Sequence, residues 1–144
     1  MTAVKYEQDF HGWALHNAAL LRSGRFSEAD IEHIAEELEV MGAGERRELI
    51  NRLAVLLAHL LKWQYQPARR GNSWKLTIET QRLDVAIVLK QNPSLNVRLD
   101  EFLPDAYRKA SLRAAKETGL EKQTFPALCP FTVEQALDDN FLPD

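Results

Sequence analysis

Basic and aromatic side chains crowd one short stretch of the chain, from His59 through Lys62, Trp63, Tyr65, Arg69, Arg70 and Trp74 to Lys75. Two of the three tryptophans meet four bases there. Cations beside flat rings bind anions or stack on planar groups, and the same residues also suit the pinning of a structural corner. Arg69 and Arg70 come just before a predicted helix, whose first amides and dipole favour an anion. Lys62, Arg69, Arg70, Trp74 and Arg82 are therefore the ligand-binding candidates, for a protein partner, a phosphorylated ligand or nucleic acid.

A second constellation offers different chemistry. Asp30, His33 and Glu37 fall at i, i+3 and i+7, on one flank of a predicted helix, about the spacing by which helical bundles present carboxylate and imidazole ligands to a metal. His59, placed on an adjoining predicted helix, is a further nitrogen for that set. A metal-assisted phosphoester hydrolase or nuclease is the enzyme such a set would make. Against it, the chain has no Glu-x-x-His and no His-Glu-x-x-His, and an acidic helix face is ordinarily just solvated. His59 is flanked at helical spacing by Arg52 and Lys62, cations that favour its neutral form. His11 and His16, five apart, share no common face. The single Cys129 has no partner for an intrachain disulfide, no zinc-type spacing and no identifiable base, which leaves it the role of a small apolar residue. No Gly-x-Ser-x-Gly or phosphate-cradling glycine loop occurs. No cofactor is expected.

Helical periodicity must position all of these, because it dominates from Tyr6 to Thr118 and no segment alternates with period two. The first helix carries Tyr6, Phe10, Trp13 and Leu20 and ends at Gly24, suited to a left-handed turn. Ser27 is the expected cap of a second helix carrying Ile31, Ile34, Leu38 and Met41, which Gly42 and Gly44 are expected to stop. The third, about Glu45 to Gln66, places Leu49, Leu53, Leu56, Leu60 and Trp63 at steps of four and three and is the expected centre of the core. Pro67 ends it, and a short turn leads to a fourth helix, about Trp74 to Lys90, capped near Ser73. That helix has two apolar sides: Ile78, Val85 and Leu89 on one, Leu76, Leu83 and Ile87 on the other. A fifth helical region starts at Asn92, is expected to break at Pro104, and continues through Ala106, Ala110 and Ala114 to Gly119. Beyond it, Thr132 and Gln135 make a capping box, and Phe125, Phe131 and Phe141 anchor a segment expected to lie across the bundle.

The totals fit one all-α domain. At 144 residues, 45% hydrophobic and 27% charged, the chain can bury a full core, and residues 1–144 are read as a single bundle of about six helices with an ordered C-terminal segment. No apolar stretch is long enough to cross a bilayer and the start, Met1 to Glu7, lacks an apolar signal core, so no membrane partner and a cytoplasmic location are expected. The net charge of −3 conceals an asymmetry. Glu28 to Glu39 holds six acids and no Lys or Arg, whereas Lys62 to Arg82 holds five bases against Glu79 alone. Such opposite segments suit neighbouring helices as well as external partners.

One pattern spans most of the chain: Tyr6-Glu7-x-Asp9-Phe10-x-x-Trp13, Leu21-Arg22-x-Gly24, Glu36-Glu37-x-Glu39-x-Met41-Gly42, then His59, Lys62, Trp63, Tyr65, Gln66 and Pro67, Arg70, Ser73-Trp74, Gln81-Arg82, Pro93-Ser94-Leu95, Glu117-Thr118-Gly119-Leu120, Phe125-Pro126 and Cys129-Pro130. It resembles the bacterial family known as domain of unknown function twenty-nine. The resemblance implies a small helical protein and brings no activity, substrate, cofactor or catalytic residue with it. The residues themselves favour a non-enzymatic interaction module at the corner of the third and fourth helices, with the metal-assisted hydrolase as alternative. A homodimer is expected if Leu76, Leu83 and Ile87 stay uncovered within one chain.

Overall fold

The computed structural model describes residues 5–144. The sequence reading at Met1 to Val4, that no signal core begins there, lies outside them. Among the described residues six α-helices follow in order: α1 (Phe10–Arg22), α2 (Ile31–Tyr65), α3 (Asn72–Gln91), α4 (Pro93–Asn96), α5 (Leu99–Thr118) and α6 (Val133–Leu137). Short 3₁₀ turns link some of them, and no strand occurs among the described residues. None of the described helices is long and apolar enough to cross a membrane. The fold is all-α, as periodicity requires. The chain divides into two compact units that meet in sequence at Gly44 and Glu45.

In the first unit, Asp9 caps α1 by accepting the Gly12 amide at 3.0 Å, so Tyr6 lies in a turn ahead of the helix. Gly24, at φ 75°, makes the left-handed turn after α1 that its sequence position suggests. Ser27 does not cap the next helix. It sits in a 3₁₀ turn, Phe26–Glu28, and the carboxylate nearest the first free amides belongs to Asp30. Buried Asn17 secures this start: its side chain donates to the Trp13 carbonyl at 3.0 Å and accepts the Asp30 amide at 2.7 Å.

The expected stop at Gly42 and Gly44 is absent, and the predicted second and third helices are one helix of 35 residues. A helix is stopped by a glycine that turns left-handed, and neither of these has a positive φ. In a helical conformation each costs only about 1 kcal/mol relative to alanine, too little to break a segment rich in Glu, Leu and Arg. The six-helix total survives because the fifth region divides instead, into α4 and α5.

The second unit is built around the later part of α2. Leu49, Leu53, Leu56, Leu57, Leu60 and Leu61 are all fully buried there, which makes this segment the centre of the core. From α3 come Ile78, Val85 and Val88; from α5 come Phe102, Tyr107 and the ridge Ala106, Ala110 and Ala114. Pro104 lies inside α5 without interrupting it. The carbonyl it leaves without an i+4 donor is that of Asp100, an exposed residue that water can serve. Gly119, at φ 77°, ends the helix. The C-terminal segment is ordered as expected: Phe125, Phe131, Val133 and Ala136 enter the core, and Thr132 with Gln135 forms the capping box of α6.

The two sides of α3 fare differently. Ile78 and Val85 are buried, while Leu76, Leu83 and Ile87 remain exposed. The tail reaches α3 near Arg82 and leaves that second stripe open.

Candidate functional site

Pro67 turns the chain out of α2 through a 3₁₀ turn, Pro67–Arg69, and α3 starts at once. Its N-cap is Gly71, which offers no side-chain hydrogen bond, and the expected cap Ser73 already lies in the first turn. There the Ser73 carbonyl accepts the Thr77 hydroxyl at 3.1 Å. The first α3 amide with a backbone partner is that of Lys75, which donates to the Gly71 carbonyl at 3.2 Å. The amides of Asn72, Ser73 and Trp74 stand at the end where helices leave donors free. A hollow of about 290 Å³ opens beside them, lined by Trp63, Arg70, Gly71, Asn72 and Lys75.

The five predicted ligand-binding residues separate here into two kinds. Lys62 is buried and ion-paired with Glu117 at 2.7 Å, with its ammonium 5.4 Å from the Trp74 ring centroid. Burial pushes the Glu117 carboxyl up, but the Lys62 hydrogen bond and charge outweigh it and hold the group below its ordinary range. Arg82 is 5% exposed and is not part of the lining of this hollow. It donates to the carbonyls of Ala136 and Phe141, each at 2.8 Å, so that it fastens the tail to α3, and burial lowers its affinity for the proton. These two are structural.

Arg70 does both tasks. Its Nε donates to the Trp63 carbonyl at 2.7 Å, satisfying one of the last acceptors of α2, while its guanidinium lies 5.2 Å from the Trp63 ring centroid on the wall of the hollow. Lys75, which lies outside the predicted ligand set, comes to 5.7 Å from the same ring from the α3 side. Arg69 is exposed and makes no ion pair among the described residues. Half-buried Trp74 faces Lys62, so the ring in the hollow is that of Trp63.

A family model described as a domain of unknown function, DUF29, matches residues 5–142. The chain belongs to this family. No curated protein and no solved structure matches it.

The alternative metal set of this DUF29 chain is only partly assembled. His33 Nδ1 lies 2.7 Å from Asp30 Oδ2, and the Trp13 indole donates to the same oxygen at 2.9 Å. The His33 hydrogen bond, with that of Trp13, holds the Asp30 carboxyl low, and the Asp30 hydrogen bond in turn raises the imidazole above its ordinary value. Glu37 instead accepts the Tyr6 hydroxyl, which raises the phenol to about 12. The Tyr6 ring stacks on His33 at 4.1 Å, nearly parallel. His59 lies on the same helix as Glu37 rather than an adjoining one, with Nδ1 on the Val55 carbonyl at 2.8 Å. Burial is the main cause that lowers its pKa. Among the described residues no three His, Cys, Asp or Glu side chains come together as metal donors. Cys129 packs against the core, and burial pushes its thiol up.

Two features of this DUF29 chain escape the sequence reading. One is the clasp of Tyr6 on His33 and Glu37, which joins residues 27 and 31 positions apart and has no local signal. The other is the outer face of α5, where Arg108, Lys109, Leu112, Arg113 and Lys116 are all exposed. Their helical spacing was a signal, but it lies opposite the alanine ridge that defines the same helix as a core element.

Proposed function

We propose that the protein is a non-enzymatic interaction module that grips an oxyanion, of the kind a phosphorylated ligand carries, at the corner between α2 and α3. The observation that carries this reading is the hollow itself: an uncapped helix start opens into it, and Arg70 and Lys75 wall it with charge. Free amides and a helix dipole favour an anion, and two cations above an indole add charge-assisted donors at the same place. Arg69, exposed and next in sequence to Arg70, can swing toward a bound group. The binding residues are therefore Arg69, Arg70 and Lys75 with the amides of Asn72 to Trp74, while Lys62 supports the corner from within and Arg82 holds the tail.

The test is a titration with inorganic phosphate and then with a phosphorylated small molecule, followed through the backbone amides by nuclear magnetic resonance. Shifts concentrated at Asn72, Ser73 and Trp74, weakened about tenfold in Arg69→Ala/Lys75→Ala, are expected. Amides that stay still up to about 10 mM phosphate, a weak-binding limit of a few kcal/mol, would overturn the reading. The alternative, a metal-assisted phosphoester hydrolase, draws support only from the Asp30–His33 pair. Stoichiometric metal in protein purified without chelator, lost on Glu37→Ala, would transfer the assignment to it.

A further inference from the structure

Two exposed faces of opposite charge lie outside the corner. On α2, Ile31, Leu38 and Met41 recur along one side and are 54%, 62% and 66% exposed. Glu32 and Glu39, seven residues apart, form the shoulder of that stripe, within a segment from Glu28 to Glu39 that holds no Lys or Arg. On α5 the arrangement is the reverse. Leu112 is 54% exposed at the centre of Arg108, Lys109, Arg113 and Lys116, four bases against Asp105, an exposed acid two turns earlier on the same side. Lys109 donates to the Asn51 side chain at 2.9 Å, and none of the four bases forms an ion pair among the described residues. A groove of about 680 Å³ between α5 and the tail adjoins this face, with Leu112, Phe125 and Pro126 in its lining and Arg108 and Lys122 at its sides.

We infer that these faces are the two halves of one interface, which joins two copies of this chain: the acidic stripe of α2 from one copy docks on the basic face of α5 in the other. Apolar residues edged by acids meet an apolar residue ringed by bases, so burial and charge favour the same partner. A two-fold axis relating the copies would form the contact twice and close the assembly as a dimer. Pairing either face with itself is disfavoured, because Glu32 and Glu39 would oppose like charges, as would the four bases of α5. The remaining exposed stripe, Leu76, Leu83 and Ile87 on α3, has both Glu79 and Lys90 beside it and so favours neither sign.

Sedimentation velocity on the full chain up to about 100 µM, a concentration that reveals a weak dimer, tests this. The chain should dimerise, and the dimer should weaken as salt rises from about 0.05 to about 0.5 M. Glu32→Lys/Glu39→Lys and Arg113→Glu/Lys116→Glu should each weaken it about tenfold or more. Mixed in equal amounts, the two variants should dimerise again, because each now carries the charge the other needs. Leu83→Glu should leave the dimer intact. All four altered charges are exposed, so the helical circular dichroism should be unchanged; if one variant failed to fold, the other and the salt series would still decide. A chain that is monomeric throughout, a dimer lost on Leu83→Glu alone, or a mixture of folded variants that stays monomeric would overturn the proposal. So would a monomer whose α5 face instead captures nucleic acid.

Discussion

A guanidinium buried as deeply as that of Arg82 persists only where acceptors match its donors, and here they are backbone carbonyls at Ala136 and Phe141. Arg82→Ala should cost about 2–4 kcal/mol, since it leaves both carbonyls unmatched and loosens the tail. Urea unfolding measures this, and a change below about 1 kcal/mol would show that water serves those carbonyls equally well. Arg82→Lys should recover only part of the loss, because an ammonium lacks the planar fork that reaches both acceptors. Nothing beside residue 82 announces this role, because its partners lie 54 and 59 residues away. The same holds for Lys62, whose carboxylate partner is 55 residues off. A sequence reading sees the charge of such residues but not what neutralises it, which is why two structural bases stand among the ligand candidates and Lys75 does not. Thr132 and Gln135 show the contrast: three residues apart, their reciprocal cap is legible because both partners are local.

At the scale of elements, glycine is legible where it turns the chain and misleading where it does not. Gly24 and Gly119 adopt positive φ and terminate α1 and α5, while Gly42 and Gly44 remain helical. A cost of about 1 kcal/mol per helical glycine is below what flanking residues can override, so composition alone cannot separate the two cases. A Cβ at either Gly42 or Gly44 meets nothing within 4 Å. Gly42→Ala and Gly44→Ala should therefore each stabilise the helix by about 0.5–1 kcal/mol, read as a higher melting temperature and slower amide exchange around residue 43. Destabilisation would show that one of them needs a conformation alanine resists. The cap expected at Ser27 and the break expected at Pro104 fail for a related reason. Local preference yields there to Asp30, which holds the start of α2, and to the buried side chains of α5.

For the whole molecule, the weight of the structure lies in the unit from Glu45 to Asp144, and its last quarter is a structural part of it. Truncation after Gly119 removes Phe125 and Phe131, each worth about 1.5–3 kcal/mol when enclosed, and exposes the α3 and α5 surfaces beneath them. For a unit of this size the melting temperature should fall by more than about 10 °C, because each kcal/mol is worth about 4–8 °C. An unchanged melt would make the tail a peptide free to bind elsewhere. The all-α class and the central position of residues 49–63 were legible because helical spacing is repeated over many turns. The hollow beside Trp63 was legible only as a neighbourhood, since its walls depend on how α2 and α3 turn past each other.

The link between Arg82 and the Phe141 carbonyl also orders events during synthesis. Fifty-nine residues separate the two, so at ordinary elongation rates the ribosome adds the acceptor roughly 3–12 s after the guanidinium has been made. Throughout that interval α3 has its arginine but not the strap that covers it, and the surface destined for Phe131 and Ala136 stands open to water. A nascent chain stalled before residue 136 would therefore present an incomplete core, a natural foothold for a chaperone or a protease until the last turn is in place.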